Sequence, residues 1–152
     1  MARAPFQVLV YPYRKMGDDF EYALLKRSDE GFWQGVAGGG ENKETPIEAA
    51  RREAHEETGI AETATFQPLD TVCPNPVTAF RDSYLWGDNV YVIPQYFFGV
   101  SVEAEQIALS HEHTAFQWLK YEEAYSLLKY DGDKLALWEL DRKLHGLGPR
   151  AN

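Results

Sequence analysis

The sequence contains a single cysteine, Cys73, in 152 residues. An internal disulfide is therefore excluded, and no cysteine pair suggests a zinc site. Basic residues are also scarce, since 15 lysines and arginines stand against 24 acids and give a net charge of −9. This balance argues against a general nucleic-acid or anionic-membrane binder, because both need a basic surface. No stretch approaches 18 apolar residues, and the N-terminus has no signal-peptide h-region, so we expect a cytoplasmic location and no membrane partner.

What the chain does contain is enough apolar material for a compact core. Hydrophobic residues make up 44% of the sequence and aromatic residues 14%, which excludes a disordered chain. There is no internal repeat, low-complexity tract or linker. We therefore expect one domain over residues 1–152, with Cys73 as a small apolar filler.

Strands and helices are predicted from residue type and periodicity. Segments rich in β-branched and aromatic residues predict strands over residues 6–11, 22–26, 65–72, 90–100 and 115–119, the first of them central in a sheet. Pro74-Asn75-Pro76 predicts a break, and Pro94 indicates a sheet edge or a bulge. Two helices are expected near residues 121–129 and 134–145. The segment 75–89 resembles an inserted loop that either closes over a ligand or is simply mobile.

A further helix is predicted from Pro46 to the residue before Gly59. Thr45 suits the N-cap, Pro46 the first helical position, and Glu48 completes a capping box. Gly59 suits the position just after the helix. At about 100° per residue, one apolar arc that docks the helix is formed by Ile47, Ala50, Ala54 and Thr58.

Three carboxylates lie beside that arc at spacing i, i+3 and i+4: Glu53, Glu56 and Glu57. Like charges this close repel, so either a cation or solvent must offset them. A solvated acidic helix face is the ordinary interpretation of such a run. Arg52 precedes the carboxylates with a planar fork suited to orienting them. Gly38-Gly39-Gly40 can bring backbone close to a ligand, because glycine lacks a side chain and permits positive φ.

Together these residues follow the pattern Gly-x5-Glu-x7-Arg-Glu-x-x-Glu-Glu-x-Gly-hydrophobic, which resembles the Nudix hydrolase signature at every defining position. At Ala54, outside those defining positions, the family usually carries a bulkier aliphatic residue. The resemblance implies an α/β Nudix fold, a mixed β-sheet sandwiched between α-helices. It also implies that Mg²⁺ or Mn²⁺ is held by Glu53, Glu56 and Glu57, together with the backbone carbonyl of Ala37 or Gly38. Arg52 would orient a glutamate, and Glu44 would be structural.

A second resemblance involves residues 29–34 and 112–119. Asp29-Glu30-Gly31-Phe32-Trp33-Gln34 and Glu112-His113-Thr114-Ala115-Phe116-Gln117-Trp118-Leu119 look like bacterial dihydroneopterin triphosphate pyrophosphatases, a branch of the same family. By this resemblance Glu112 is a further metal ligand and a candidate general base, although alone it would pass for an exposed loop acid. Arg27 and Arg3 are expected to contact substrate. Ala37 replaces a threonine of those enzymes, which weakens the case for pterin specificity.

Two expectations about substrate complete this part. Trp33 and its neighbour Phe32 either stack on a base or belong to the core, with equal weight. Gly38 and Gly39 are expected to approach the substrate through their backbone.

The resulting hypothesis is a Mg²⁺-dependent hydrolase of a nucleoside triphosphate or a related diphosphate-linked small molecule. Metal ions would neutralise phosphate charge and acidify the attacking water. The alternatives are a dinucleoside polyphosphate or nucleotide-sugar hydrolase, and a non-catalytic Nudix domain that binds a nucleotide as a sensor. An isomerase of the same fold is disfavoured, because Cys73 lies in an unrelated segment. A monomer and a homodimer both remain open.

Overall fold

A computed structural model of the chain describes residues 2–29, 31–103, 107–108 and 113–150. Its strands are β1 (Arg3–Met16), β2 (Asp19–Arg27), β3 (Trp33–Gln34), β4 (Val36–Glu41), β5 (Phe66–Pro76), β6 (Val92–Ser101) and β7 (His113–Lys120). Its helices are α1 (Pro46–Thr58), α2 (Tyr121–Leu127) and α3 (Asp131–Leu144). None of these helices is both long and apolar enough to span a bilayer.

The sheet is mixed and is built around β1. The strand order is β3-β2-β1-β6-β5, with β4 paired to β1 and β7 paired to β2. Strand β1 runs parallel to β6, whereas the other described pairings are antiparallel. The predicted central position of the first strand is therefore confirmed. At 14 residues, β1 is long enough to pair with β4 along one part of its length and with β2 further on.

Side-chain alternation along β1 builds a core on each face of the sheet. Val8 and Val10 pack with buried alanines of α1. Leu9 and Tyr11 point the other way and pack with α2 and α3 through Ala124, Leu137 and Leu140. The sheet thus lies between α1 on one face and α2 with α3 on the other, which confirms the α/β sandwich that the sequence pattern implied.

The predicted break at Pro74-Asn75-Pro76 is wrong, because β5 continues through these residues. Pro74 lies opposite Pro94 in the antiparallel pair of β5 and β6. Neither proline has an N–H group, and an antiparallel ladder has alternate positions that require no hydrogen bond. Two prolines can therefore face each other there without loss. Pro94 also precedes Gln95, where the pairing of β6 with β1 begins, so only β5 flanks it.

Helix boundaries near the end of the chain also differ from the expectation. The helix predicted for residues 121–129 ends at Leu127, and Leu128 forms a backbone bridge with Trp33. The helix predicted from residue 134 begins three residues earlier, at Asp131. Asp131 and Asp133 occupy its first turn, where negative charge interacts favourably with the helix dipole.

The inserted segment between β5 and β6 contains two short 3₁₀ turns, Val77–Ala79 and Ser83–Trp86. Its anchor is Trp86, whose indole Nε1 donates a hydrogen bond of 2.8 Å to the backbone carbonyl of Arg3. The Phe80 ring packs edge-on against Trp86 and lies 5.3 Å from the Arg3 guanidinium. The segment is therefore tied to the start of β1.

Candidate active site

Local sequence fixes both ends of α1. Thr45 is the N-cap and forms the predicted capping box with Glu48, whose side chain accepts from the Thr45 N–H at 2.8 Å. Pro46 occupies the first turn, and Gly59 follows the helix with a left-handed φ of 77°. The apolar arc sets the rotational position of the helix on the sheet. Ala50 and Ala54 then face the core, and the three glutamates lie to one side of it.

Strand β4 carries the three consecutive glycines in extended conformation, and their φ angles are not positive. Close approach of side chains explains them instead. A Cβ atom added to Gly38 would lie 2.1 Å from the carboxyl carbon of Glu53. A Cβ on Gly39 would lie 1.7 Å from Nε of Arg3, and one on Gly40 would strike the Phe6 ring. The glycines therefore make room for the protein's own side chains, and positive φ is not what these positions need. Their approach to a ligand stays a prediction.

The acidic edge is the side of α1 that carries Glu53, Glu56 and Glu57. Arg52 donates hydrogen bonds to four groups at its start. Its Nε and Nη2 atoms donate to the two carboxylate oxygens of Glu44 at 2.8 and 2.9 Å. Nη2 also donates to the Gly39 carbonyl at 2.8 Å. Nη1 donates to Glu53 at 2.9 Å and to Glu56 at 3.3 Å. The hydrogen bonds that Arg52 donates to Glu44, and then to Glu53, raise the pKa of Arg52, and Arg52 in turn lowers the pKa of Glu44.

Glu44 has a second contact, since its Oε1 accepts from the backbone N–H of Glu41 at 2.8 Å. It joins the end of β4 to α1 through Arg52.

Glu53, Glu56 and Glu57, the three carboxylates beside the apolar arc of α1, differ in exposure. The side chain of Glu53 is 16% exposed and that of Glu56 is 53% exposed, whereas Glu57 as a residue is only 3% exposed. The acidic run is therefore not simply a solvated helix face. Within the described ranges, no group of three acidic, histidine or cysteine side chains is already gathered as a metal cage. Arg52 holds Glu53 and Glu56, while Glu57 lies deeper against the core.

The donor set nevertheless fits a hard divalent cation. It consists of carboxylate oxygens at one helix edge, and such cations prefer oxygen ligands. The Glu53 carboxylate occupies the space that a side chain at residue 38 would fill, so it lies directly against the β4 backbone. Glu112, the remaining predicted ligand, lies outside the described residues. His55, on the same helix, is exposed.

A cleft of about 740 Å³ opens beside this edge. It lies on the face of the sheet that carries α3, where the side chains of β1 change from apolar Leu9 to polar Gln7. Glu53 reaches it from the opposite face, because the glycines of β4 present no side chains there. Among the predicted site residues, those that line the cleft are Arg3, Arg27, Gly38, Gly39 and Glu53.

Trp33 does not line the described part of the cleft, and the preceding residue, Phe32, does. The Trp33 indole packs against the core cluster beneath α2 and α3. Consecutive residues of a strand point to opposite faces, so a shift of one position separates a core aromatic from a cleft aromatic. This packing favours the core interpretation of Trp33, and its contact with substrate stays a prediction.

The two cleft arginines have partners within the protein. Arg27 makes a bidentate contact with Asp29 at 2.8 and 2.7 Å. Arg3 donates to the Gln7 side chain, and its buried Nε has no hydrogen-bond partner among the described residues. Burial lowers the pKa of Arg3, and the nearby charges of Asp82 and Glu53 oppose that shift.

Two residues at the base of the cleft were missed by sequence reasoning. Gln34 is 7% exposed and Asp133 is 5% exposed, and both line the cleft. Burial raises the pKa of Asp133 to about 6, and a hydrogen bond from Gln95 partly offsets the shift. Asp133 fell just before the predicted start of its helix, and nothing in its neighbourhood marks it as buried. Cys73 also lines the cleft, packed against Gly132.

Comparison with known proteins identifies the family. The NUDIX domain profile matches residues 5–139. The chain is 33% identical over 135 residues to the dihydroneopterin triphosphate diphosphatase of Haemophilus influenzae, covering 86% of this chain and 83% of that protein. A NUDIX hydrolase structure from Listeria monocytogenes superposes with a TM-score of 0.84 at 36% identity, covering 94% of this chain and 96% of that one.

The structure of the E. coli dihydroneopterin triphosphate pyrophosphohydrolase superposes with a TM-score of 0.76 at 26% identity, covering 94% of this chain and 99% of that one. The family generally uses a divalent metal ion. The fold, the glycine strand and the arginine-linked carboxylates of α1 agree with these matches. The chain belongs to the Nudix hydrolase family and is a pyrophosphohydrolase.

Proposed function

We propose that this enzyme hydrolyses a phosphoanhydride bond of a nucleoside triphosphate or a related diphosphate-linked small molecule, using Mg²⁺ or Mn²⁺. The observation that carries the proposal is the contact of the Glu53 carboxylate with Gly38 at the mouth of the cleft. It brings a carboxylate of the α1 edge to the wall of a cavity large enough for a nucleotide-sized ligand.

The residues proposed to hold the metal are Glu53, Glu56, Glu57 and the Gly38 carbonyl, with Glu112 as a further ligand. The bound cation would neutralise phosphate charge and lower the pKa of the attacking water. Glu57 is the strongest candidate among the side chains, because it is the least exposed of the three glutamates and projects from the same helix. Burial also restricts its rotamers and so prepares it for binding.

Arg52 acts as a positioning residue in this proposal. Its guanidinium holds Glu53 and Glu56 on one side and the Gly39 carbonyl on the other. The carboxylates are therefore kept at one edge although their charges repel. Because its fork is occupied by these groups, Arg52 is directed away from substrate.

The phosphate chain is proposed to lie between the glycine strand and the two cleft arginines. Arg3 and Arg27 line the cleft together with Gly38, Gly39 and Glu53. A carboxylate, Glu112 or one of the α1 glutamates, accepts the proton of the attacking water. The carboxylate that accepts this proton must lie within hydrogen-bond reach of the water.

A substrate panel tests the proposal. The purified enzyme is incubated with nucleoside triphosphates, dihydroneopterin triphosphate, a dinucleoside tetraphosphate and a nucleotide sugar, and both phosphate and pyrophosphate are measured. We expect turnover of a triphosphate with Mg²⁺ or Mn²⁺, loss of turnover with chelator, and recovery on adding metal. Turnover that resists chelation would contradict the metal mechanism. Preference for the dinucleoside or the sugar would replace the proposed substrate class with one of the alternatives.

A matched pair of variants accompanies the panel. Glu57→Gln removes one buried charge and keeps the side-chain shape, so kcat should fall by orders of magnitude. Glu62→Gln removes the same charge from an exposed position just beyond α1 and should retain wild-type turnover. Equal activity of Glu57→Gln and wild type at saturating Mg²⁺ would remove Glu57 from the metal site.

A further inference from the structure

The base of the cleft holds two buried polar side chains that the proposed hydrolysis does not use. Gln34 lies on β3 and Asp133 in the first turn of α3, and both are more than nine-tenths buried. The Nε2 atom of Gln34 has no hydrogen-bond partner among the described residues. An amide donor buried in this way is unfavourable, so its persistence at the wall of a binding cleft indicates a ligand that accepts from it.

Asp133 is held in a fixed orientation. Its backbone carbonyl accepts from the Tyr11 hydroxyl at 2.8 Å. Gln95 accepts from Asn75 Nδ2 at 3.2 Å through its side-chain oxygen, which leaves the Gln95 amide nitrogen to donate to the Asp133 carboxylate. Asn75, Gln95 and Asp133 thus form a chain of oriented hydrogen bonds. A carboxylate has about four acceptor sites, so one hydrogen bond from Gln95 leaves capacity for a ligand.

The two side chains offer complementary chemistry. The Asp133 carboxylate can accept two parallel N–H groups, and Gln34 can donate to a carbonyl. A heterocycle whose ring N–H lies between an exocyclic amine and a carbonyl matches both side chains. Its two N–H groups can face Asp133, and its carbonyl can accept from Gln34. The 2-amino-4-oxopyrimidine ring, shared by guanine and pterins, has this edge. Adenine places a ring nitrogen lone pair beside its amine, and that lone pair would face the carboxylate.

We propose that Asp133 and Gln34 select substrate by binding the 2-amino-4-oxopyrimidine edge of its ring, with Asp133 accepting the N–H pair and Gln34 donating to the carbonyl. The proposal rests on the proposed function, because it assigns the ring of the substrate whose phosphates lie against Glu53. It places the ring at the α3 end of the cleft and leaves Gly38 and Gly39 beside the phosphates.

The test compares GTP, dihydroneopterin triphosphate and ATP in wild type and in Asp133→Asn. Loss of a bidentate pair should lower kcat/KM for GTP and the pterin on the order of 10- to 100-fold, mainly through KM. The amide of asparagine can pair with adenine, so kcat/KM for ATP should hold or rise. Asp131→Asn is the matched control, since it removes a charge from the same helix at an exposed position on the cleft. It should leave the GTP-to-ATP ratio unchanged.

A second variant keeps the test independent of any folding defect in the first. Gln34→Met preserves length and removes the donor, and it should lower kcat/KM for GTP and the pterin by about 10-fold without that loss for ATP. An equal loss for all three substrates in both variants would overturn the proposal. Preference of the wild type for ATP would overturn it as well.

Binding of compounds without phosphate separates this inference from the proposed function. Guanosine and dihydroneopterin are titrated into wild type and Asp133→Asn by calorimetry without metal. Weaker binding to the variant supports ring recognition, whether or not a triphosphate is turned over. If binding weakens and no triphosphate is turned over, only the proposed hydrolysis fails. Equal binding to both proteins overturns ring recognition. The tighter of the two compounds identifies a purine or a pterin as the ring.

Discussion

Asp133 should destabilise the folded protein at neutral pH, and Asp133→Asn should therefore stabilise it. Burial raises the pKa of this carboxyl from 3.8 to about 6. One pKa unit corresponds to about 1.4 kcal/mol, so the folded state loses up to about 3 kcal/mol when the group is ionised. Asparagine has nearly the same shape and no charge. The variant avoids this penalty and can still accept from Gln95.

The sign of the effect follows from the proton count. Between pH 3.8 and about 6 the unfolded chain has released the Asp133 proton while the folded protein retains it. The contribution of this group to stability therefore decreases as pH rises through that interval. The titratable neighbours Tyr11 and Cys73 both have a raised pKa, so they remain neutral and do not interfere there.

Urea denaturation of wild type and variant at two pH values measures the effect. The stability advantage of Asp133→Asn should be about 3 kcal/mol at pH 8 and about 1 kcal/mol at pH 4.5, with the same m value. Asp131→Asn, at an exposed position on the same helix, should change stability much less. An advantage of Asp133→Asn that is absent, or equal at both pH values, would refute the argument. A stability gain combined with lost ring selection would be the usual trade-off of a functional residue.

Three further predictions concern the acidic edge. Gly38→Ala should lower kcat strongly in a steady-state assay, because its Cβ would overlap the Glu53 carboxylate at 2.1 Å; Gly148→Ala, where no atom lies within 4 Å, is the control. Arg52→Lys cannot bridge its carboxylates with a planar fork, so we expect lower kcat and a loss of about 1–3 kcal/mol in urea denaturation; wild-type values for both would contradict its positioning role. Glu112→Gln should depress kcat far more than KM if this residue activates water, whereas an exposed loop acid would leave both constants unchanged.

The helix and its acidic edge were predictable because their determinants are local. The cap at Thr45, Gly59 after the helix and the i, i+3, i+4 spacing all act within a few residues. Periodicity also placed Ala50 and Ala54 on the buried arc. What the spacing did not reveal is the unequal exposure of Glu56 and Glu57, which depends on how the helix lies against the sheet.

The base of the cleft was not predictable for the opposite reason. Gln34 and Asp133 are distant in sequence and come to line the same cleft through strand pairing and the packing of α3 on the sheet. Base stacking and a core position were given equal weight for Trp33, because a two-residue strand gives no alternation from which to decide which face its side chain lies on. Pro74 was taken as a break because its effect depends on Pro94, the residue that lies opposite in another strand.

Charge in the cleft connects these observations. The protein carries a net charge of −9 and would repel a polyphosphate at long range. The two cleft arginines donate to acceptors of the protein, Arg27 to Asp29 and Arg3 to Gln7. They therefore contribute less attraction than isolated cations would. In the proposed mechanism, attraction of the phosphates comes largely from divalent cations on the α1 edge, which invert the local field. Substrate affinity, measured as the Kd of a non-hydrolysable analogue, should accordingly depend on metal concentration more steeply than on any single arginine, and Arg27→Gln should raise that Kd by less than removal of Mg²⁺ does.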